Sequence, residues 1–270
     1  MSEAELEAAA RSALAEIASG RPLLHHLTNF VTANDSANLA LAYGALPVMA
    51  PAPEEAPEMA SGAQALVLNL GTLNAGLVDA MAAAGQAAAA AGVPIVLDPV
   101  GAGATRFRTE SAHRLLAELP VTVLRGNRGE VGALLGSGEV RGVEATGRED
   151  PGQIARAAHE RLGVVVAVTG AVDVVVGPGA AFDVYNGHPL LAAITGSGCM
   201  ATTAVAALVA AGGAPERQAA LALATYGLAA ERAAEGAPGP GTFRARLFDE
   251  VAALGTRGVH GLRIAAGVEH

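Results

Sequence analysis

Aromatic side chains are nearly missing from this chain. Its 270 residues include no tryptophan, 3 tyrosines and 5 phenylalanines, so the 51% hydrophobic content comes mostly from alanine and other small or aliphatic residues that let helices pack closely. Cysteine occurs once, as Cys199, which excludes a disulfide within the chain and suits a reducing cytoplasm. Positive charge is in deficit: 17 basic against 26 acidic residues give a net charge of −9 and a pI near 5.2. That balance argues against a nucleic-acid or anionic-membrane surface, while leaving room for a local basic pocket around a small phosphate. Charged residues are also few, at 16% with a mean hydropathy of +0.38, which excludes a disordered, solvating chain. The first residues lack a basic stretch, carrying Glu3, Glu5, Glu7 and Glu16 instead, so they do not read as a signal peptide. From Val184 to Pro215 there is no Asp, Glu, Lys or Arg. The length would cross a bilayer, but Gly196-Ser197-Gly198 interrupts it and only Met200–Ala211 reads as continuous helix, so no membrane span is expected. There is no G-x-x-x-x-G-K-[ST] loop and no G-x-S-x-G elbow. The histidines show no zinc-like spacing with Cys199.

What the chain does have is alternation. Its length fits one α/β domain over residues 1–270. Ser2 with Glu5 forms a capping box that opens a first helix, which Gly20 ends. Short apolar runs follow at Leu23–Leu27, Leu46–Met49, Ala65–Leu70, Pro94–Asp98, Val121–Leu124 and Val164–Thr169, with helical stretches such as Leu73–Ala91 and Gln153–Leu162 between them. Most runs are continuously apolar, as expected of strands buried on both faces of a mainly parallel sheet with helices on each side. Val172–Val176 and Ala181–Tyr185, around Gly177-Pro178-Gly179, predict an antiparallel hairpin. The last third reads as helix, broken by a loop at Gly236–Gly241. Ligands in open α/β sheets bind at the carboxyl ends of strands. Thr28-Asn29, Asn69–Thr72, Asp98, Arg125–Glu130 and Thr169-Gly170 are therefore expected to share one rim.

Five segments could carry chemistry. Thr195-Gly196-Ser197-Gly198-Cys199-Met200 opens a helix, where converging backbone N–H groups and the helix dipole favour a phosphate. Cys199 in that first turn should have a lowered thiol pKa; the plainer reading is a tight turn beside a buried thiol. Gly196, Gly198 and Ala201 also match G-x-G-x-x-A, but Glu216, at the spacing of the ribose-binding acid, starts a helix and does not end a strand. Asp98, ending an apolar run before Pro99-Val100-Gly101-Ala102-Gly103, suits Mg²⁺ or simply a turn. In Arg125-Gly126-Asn127-Arg128-Gly129-Glu130, Arg125 suits phosphate oxygens and Glu130 a divalent cation, while Asn127 with Glu130 also fits a helix start. Thr28–Thr32 and Pro47-Val48-Met49 follow early strands, and Met49 among small apolar neighbours suits a flat heteroaromatic ring or the core.

In this order the motifs resemble those of the hydroxyethylthiazole kinases, ribokinase-like enzymes of thiamine salvage. The matching strings are Leu27–Thr32, Gly44–Met49, Leu68–Leu73, Leu97–Gly103, Arg125-Gly126-Asn127 with Glu130, Val168-Thr169-Gly170, Asn186-Gly187-His188 and Thr195–Cys199. The resemblance implies a ribokinase-like α/β fold without a separate lid domain, ATP as co-substrate, Mg²⁺, and phosphorylation of the alcohol of 4-methyl-5-(2-hydroxyethyl)thiazole. It also implies a homotrimer with active sites at subunit interfaces. By motif, Asn29, Val31, Met49 and Gly196 fall on the substrate side, Arg125, Asn127 and Thr169 on the ATP side, and Asp98 and Glu130 with the metal. Gly196, Ser197, Gly198 and Cys199 form the catalytic turn, with Cys199 where related kinases carry an aspartate base. The family's Gly-Ala-Gly-Cys appears here as Gly196-Ser197-Gly198-Cys199. Another ribokinase-like small-alcohol kinase and a non-catalytic nucleotide- or thiazole-binding protein are the alternatives; Cys199 weighs against the first, and Asp98, Glu130 and the glycine turn against the second.

Overall fold

The computed structural model describes residues 3–136 and 150–267. The expected Ser2 capping box lies outside them. Nine strands form a single sheet: β1 (Leu23–Leu27), β2 (Leu46–Val48), β3 (Ala65–Asn69), β4 (Ile95–Asp98), β5 (Val123–Asn127), β6 (Val165–Thr169), β7 (Asp173–Val176), β8 (Ala181–Val184) and β9 (Ile264–Ala266). Their spatial order is β2-β1-β3-β4-β5-β6-β7-β8-β9. The pairs from β2 through β6 are parallel and those from β6 through β9 antiparallel. No described strand stands outside this sheet.

Alternation along the strands assigns the two faces. Ala65, Val67, Val165 and Ala167 point into one core with α1 (Glu3–Gly20), α2 (Ala33–Tyr43), α8 (Ser197–Ala210), α9 (Pro215–Ala234) and α10 (Pro240–Arg257). Leu66, Leu68, Val166 and Val168 point into the other, with α3 (Ala56–Gly62), α4 (Ala75–Ala90), α5 (Arg106–Glu118), α6 (Arg128–Leu135) and α7 (Pro151–Leu162). Both faces are covered, which is why these strands read as unbroken apolar runs. Fully buried residues such as Leu66, Leu68, Ile95 and Leu97 each contribute about 1.5–3 kcal/mol of transfer free energy. Helix α8 is buried from Met200 to Val209, and its alanines and threonines let it lie directly against β3 and β4.

Several boundaries differ from the sequence reading. Strand β5 runs on through Arg125 to Asn127, paired with Ala167–Thr169 of β6, so these polar residues belong to the strand and not to a loop after it. Helix α1 includes Gly20, and the left-handed residue that ends it is Arg21, at φ 45°. Pro240 opens α10, which shortens the expected glycine-rich loop. The segment before the glycine turn is a 3-10 turn over Pro189–Ala193. Strand β9 had no sequence signal; it adds to β8 in a chain region that otherwise reads as helix. The β7–β8 hairpin forms as expected. No described helix is long and apolar enough to cross a membrane.

Buried histidines tie this frame together. His26 Nε2 meets Thr203 Oγ1 of α8 at 3.3 Å, and burial pushes its pKa down to about 4, so it is neutral at physiological pH. His25 Nε2 donates to Ala50 O at 3.0 Å, and burial lowers its pKa too.

Candidate active site

The chain reverses direction across the sheet at β1, which has β2 on one side and β3 on the other. This is the switch point at which open α/β sheets bind ligands. Asn29 lies two residues past β1, while Asn69 and Asp98 end β3 and β4 and are register partners. Helix α8 brings its first turn to the same strand ends.

A continuous polar chain results. Thr32 N donates to Asn29 Oδ1 at 3.0 Å. Asn29 Nδ2 donates to Asn69 Oδ1 at 2.8 Å, and Asn69 Nδ2 to Asp98 Oδ2 at 2.8 Å. Thr202 Oγ1, one turn along α8 from Gly198, donates to the same Asp98 oxygen at 2.7 Å. Arg125 Nη1 lies 3.8 Å from it, and Arg125 Nη2 donates to Thr169 Oγ1. Asp98 is completely buried, and burial pushes its pKa up to about 6 against the opposing pull of Arg125 and its hydrogen bonds. Its second oxygen, Oδ1, is buried with no partner, as is Arg125 Nε.

Gly196 caps α8 in the left-handed region, at φ 86°, and a Cβ there would sit 2.5 Å from Thr32 Cγ2. Only glycine meets both demands. The N–H groups of Ser197, Gly198 and Cys199 lack intrahelical acceptors by their place in the first turn. Tyr226, buried in α9, donates its hydroxyl to Ser197 O at 3.1 Å and steadies that turn. Gly198 packs against the Arg125 guanidinium, so the anion-binding turn and the cation are adjacent. Cys199 Sγ accepts from Asn69 Nδ2 at 3.3 Å and Asn29 Nδ2 at 3.4 Å. The expected lowering of its thiol pKa is reversed: burial, and then the Asp98 carboxylate, push it up and outweigh the Thr32 hydroxyl and the two amide donors.

Glu130 plays the part of the helix-start reading. Its Oε2 accepts Asn127 N at 2.8 Å while Asn127 Oδ1 accepts Glu130 N at 3.0 Å, a reciprocal capping box on α6. Its Oε1 accepts Gly101 N at 2.9 Å, which holds the Asp98–Gly103 loop beside it. Arg108, which had no sequence signal, clamps the same region from α5: Nη1 donates to Leu70 O at 2.6 Å and Val100 O at 2.8 Å, and Nη2 to Gly71 O at 2.7 Å.

Two clefts flank the end of β6. One, of about 570 Å³, is bordered by Arg125, Thr169, His188, Gly198, Leu223 and Tyr226. The other, of about 760 Å³, is bordered by Asn127, Gly129, Pro151, Val172 and Tyr185, and both share Thr169, Gly170 and Ala171. Asp173 Oδ1 accepts Gly170 N at 2.9 Å and fixes the turn between them.

The structure thus brings Asn29, Asp98, Arg125, Thr169 and Gly196–Cys199 to one place. Asn127 and Glu130 stand beside it. Met49 and Val31 lie on its outer side, Met49 half-buried just past β2 and Val31 57% exposed next to Phe30, which is 82% exposed. Asn69 was expected on the rim but given no role, and Thr202 and Arg108 were not singled out from sequence. Asn69 carries a usable signal, as a polar residue ending an apolar run; Thr202 does so only once Cys199 is placed on a helix.

The fold is ribokinase-like. A ribokinase-like superfamily protein from Enterococcus faecalis V583 superposes with a TM-score of 0.64 over 85% of this chain and 86% of its own, at 13% identity, a likeness of fold alone. The match becomes specific with the hydroxyethylthiazole kinases: the profile of the hydroxyethylthiazole kinase family matches residues 14–257, and the chain belongs to that family. The hydroxyethylthiazole kinase of Rubrobacter xylanophilus is 53% identical over 247 residues, 91% of this chain and 92% of that protein. The structure of a hydroxyethylthiazole kinase protein from Pyrococcus horikoshii OT3 superposes with a TM-score of 0.88 at 42% identity, covering 96% of this chain and 99% of the other. Membership makes this chain a kinase acting on the thiazole alcohol in thiamine salvage.

Proposed function

We propose that this chain, acting as one domain, transfers the γ-phosphoryl group of ATP to the hydroxyl of 4-methyl-5-(2-hydroxyethyl)thiazole, with the residues of the rim in the following roles. The thiazole lies on the β1 side, against Asn29, Val31, Met49 and Gly196. The ATP phosphates lie over β5 and β6, met by Arg125, Thr169 and Asn127. The observation that carries this reading is the convergence of the α8 first turn with Asp98 and Arg125, a fixed anion hole facing a buried acid and a cation.

Phosphoryl transfer depends on positioning and charge neutralisation more than on covalent chemistry. The substrate oxygen forms a bond to the γ-phosphorus as the bond to the ADP oxygen breaks. Charge on the migrating group is met by the N–H groups of Gly198 and Cys199, which are in place before reaction. Cys199 orients the hydroxyl; a thiol pushed up by burial holds its proton at neutral pH, which suits a hydrogen-bond donor better than a base. The proton leaves late, when the oxygen is already bonded to phosphorus, and passes to an oxygen of the transferred phosphoryl group and from there to solvent.

Mg²⁺ fits the donor set in part. The unpartnered Oδ1 of Asp98 offers a hard oxygen, while each Glu130 oxygen already holds a backbone N–H and has only its remaining lone pairs to give. Among the described residues no cluster of three or more acidic, His or Cys side chains is arranged to hold a metal alone, so the cation would be shared with the nucleotide phosphates. Bound there, it neutralises phosphate charge. A homotrimer with interfacial sites accords with the exposed Phe30 and Val31 at the rim's open side, and the single cysteine accords with a cytoplasmic setting.

The test is ADP release by the purified protein with Mg-ATP and the thiazole alcohol, compared with sugars and pyrimidine alcohols. Release that favours the thiazole is expected. Faster turnover of another alcohol, or an NAD-linked absorbance change in its place, overturns the assignment.

A further inference from the structure

Asn69 is almost completely buried, and every hydrogen-bonding position of its side chain is occupied. The sense of its amide is fixed by a donor that cannot reverse: Gly71 N–H points at Oδ1 at 3.0 Å. Asn29 Nδ2 donates to that same oxygen at 2.8 Å, and the sense of Asn29 is fixed in turn by Thr32 N–H at its Oδ1. Asn69 Nδ2 must therefore face the other way, where one hydrogen goes to Asp98 Oδ2 at 2.8 Å and the other to Cys199 Sγ at 3.3 Å. An amide offers two donor hydrogens and two acceptor lone pairs, and all four are used here.

We propose that Asn69 is a positioning residue for the thiazole kinase reaction: one side-chain amide sets the Asp98 carboxylate and the Cys199 sulfur relative to each other, and so couples the two sides of the rim. The inference rests on the placement of the reaction at Asp98 and Cys199. Three features support a role beyond filling the core. Asn69 is the register partner of Asp98, so two adjacent strand ends carry the pair. The two groups it bridges come from different elements, β4 and α8, with no other side chain among the described residues donating to both. Its acceptor side is satisfied by Asn29, just past β1, and by its own turn, which leaves the donor side free of any task in local folding.

Asn69→Ser separates the turn from the bridge. A serine oxygen can still accept Gly71 N–H, but it is too short to reach both Asp98 and Cys199. The expected result is a fall in kcat of about 30–100-fold with KM for ATP and for the thiazole each within about threefold, the pattern of an interaction lost in the transition state. Asn69→Asp, of the same shape, keeps the acceptor and, even with one proton shared with Asp98, cannot donate to Asp98 and Cys199 together; it carries the test if the serine variant does not fold, with the same loss expected. A double-mutant cycle with Cys199→Ala reads the coupling directly: Cys199→Ala should cost several-fold less in the Asn69→Ser background than in wild type. A kcat within threefold of wild type in the folded Asn69 variant overturns the proposal. So do strictly multiplicative effects in the cycle, or a loss that follows the unfolded fraction alone. If both Asn69 variants match wild type while the thiazole is still the preferred acceptor, only the bridging role fails; if no variant and no wild type uses the thiazole, it is the functional reading that fails.

Discussion

Around Cys199 the side-chain amides are already paired, the sulfur held by Asn29 and Asn69, whose own partners are fixed by backbone N–H groups, and Thr32 Oγ1 is the one buried polar atom there without a partner among the described residues. Across the rim, at Asp98 and Arg125, polar atoms are buried without partners, and the Asp98–Arg125 separation of 3.8 Å is too long for a tight ion pair. Native proteins leave few buried polar groups unsatisfied. In the proposed roles, the acceptor side is largely set in advance, while Asp98 Oδ1 and Arg125 Nε are left for phosphates and their counter-ion to complete.

The strongest way to break this contrast is Asp98→Asn. It removes the orphan anion while keeping the bonds from Asn69 and Thr202 at one oxygen, and turnover should fall by about 10³-fold. The same change should stabilise the empty protein. A pKa of about 6 in the folded state exceeds the ordinary carboxyl value of 3.8, so the folded form binds this proton more tightly than the unfolded one. Stability from this group is therefore present below the unfolded value, falls as pH rises through about 6, and is level above it. Thermal midpoints of wild type and Asp98→Asn compared from pH 4 to 8 should diverge in favour of the variant, by up to roughly 3 kcal/mol less what Arg125 loses. A variant less stable at every pH would show that Asp98 is a structural acid. Next in size, Arg125→Lys keeps the charge but loses the fork that reaches Thr169 and a phosphate together, so KM for ATP should rise by about 10–100-fold with a smaller change for the thiazole. An equal rise in both would erase the division of the rim. Glu130→Gln should lower stability by about 1 kcal/mol through the capping box and Gly101, and raise the Mg²⁺ concentration needed for half-maximal turnover; an unchanged Mg²⁺ dependence reduces Glu130 to a helix cap. Cys199→Ser should have the smallest effect, a loss of turnover of about tenfold or less, because a hydroxyl can take over orientation. A loss as large as that of Asp98→Asn would make the thiol the centre of the chemistry.

Much of this was legible before any coordinates. Strands buried on both faces announce themselves as apolar runs, and the polar residue that ends each run marks the rim; Asn29, Asp98 and Thr169 were found that way. Asn127 with Glu130 read correctly as a helix start because a capping box is local. What failed was non-local. Arg125 looked like a loop residue because its partner strand β6 begins some forty residues later in the chain. Strand β9 exists only because β8 offers it an edge. The direction of the Cys199 pKa depends on burial and on Asp98, which lies in another element, and a helix-dipole argument sees neither. Arg108 gave no signal because its partners are backbone carbonyls, which every residue has.

The sheet also ends abruptly. Its outermost strands, β2 and β9, are three residues each, and the middle residue of β2 is Pro47, which has no N–H to offer. A stray strand from another molecule finds almost no ladder on which to zip up. Fibrous growth is blocked at both margins, a safeguard that matters for a chain whose interior is so rich in β-forming aliphatic stretches.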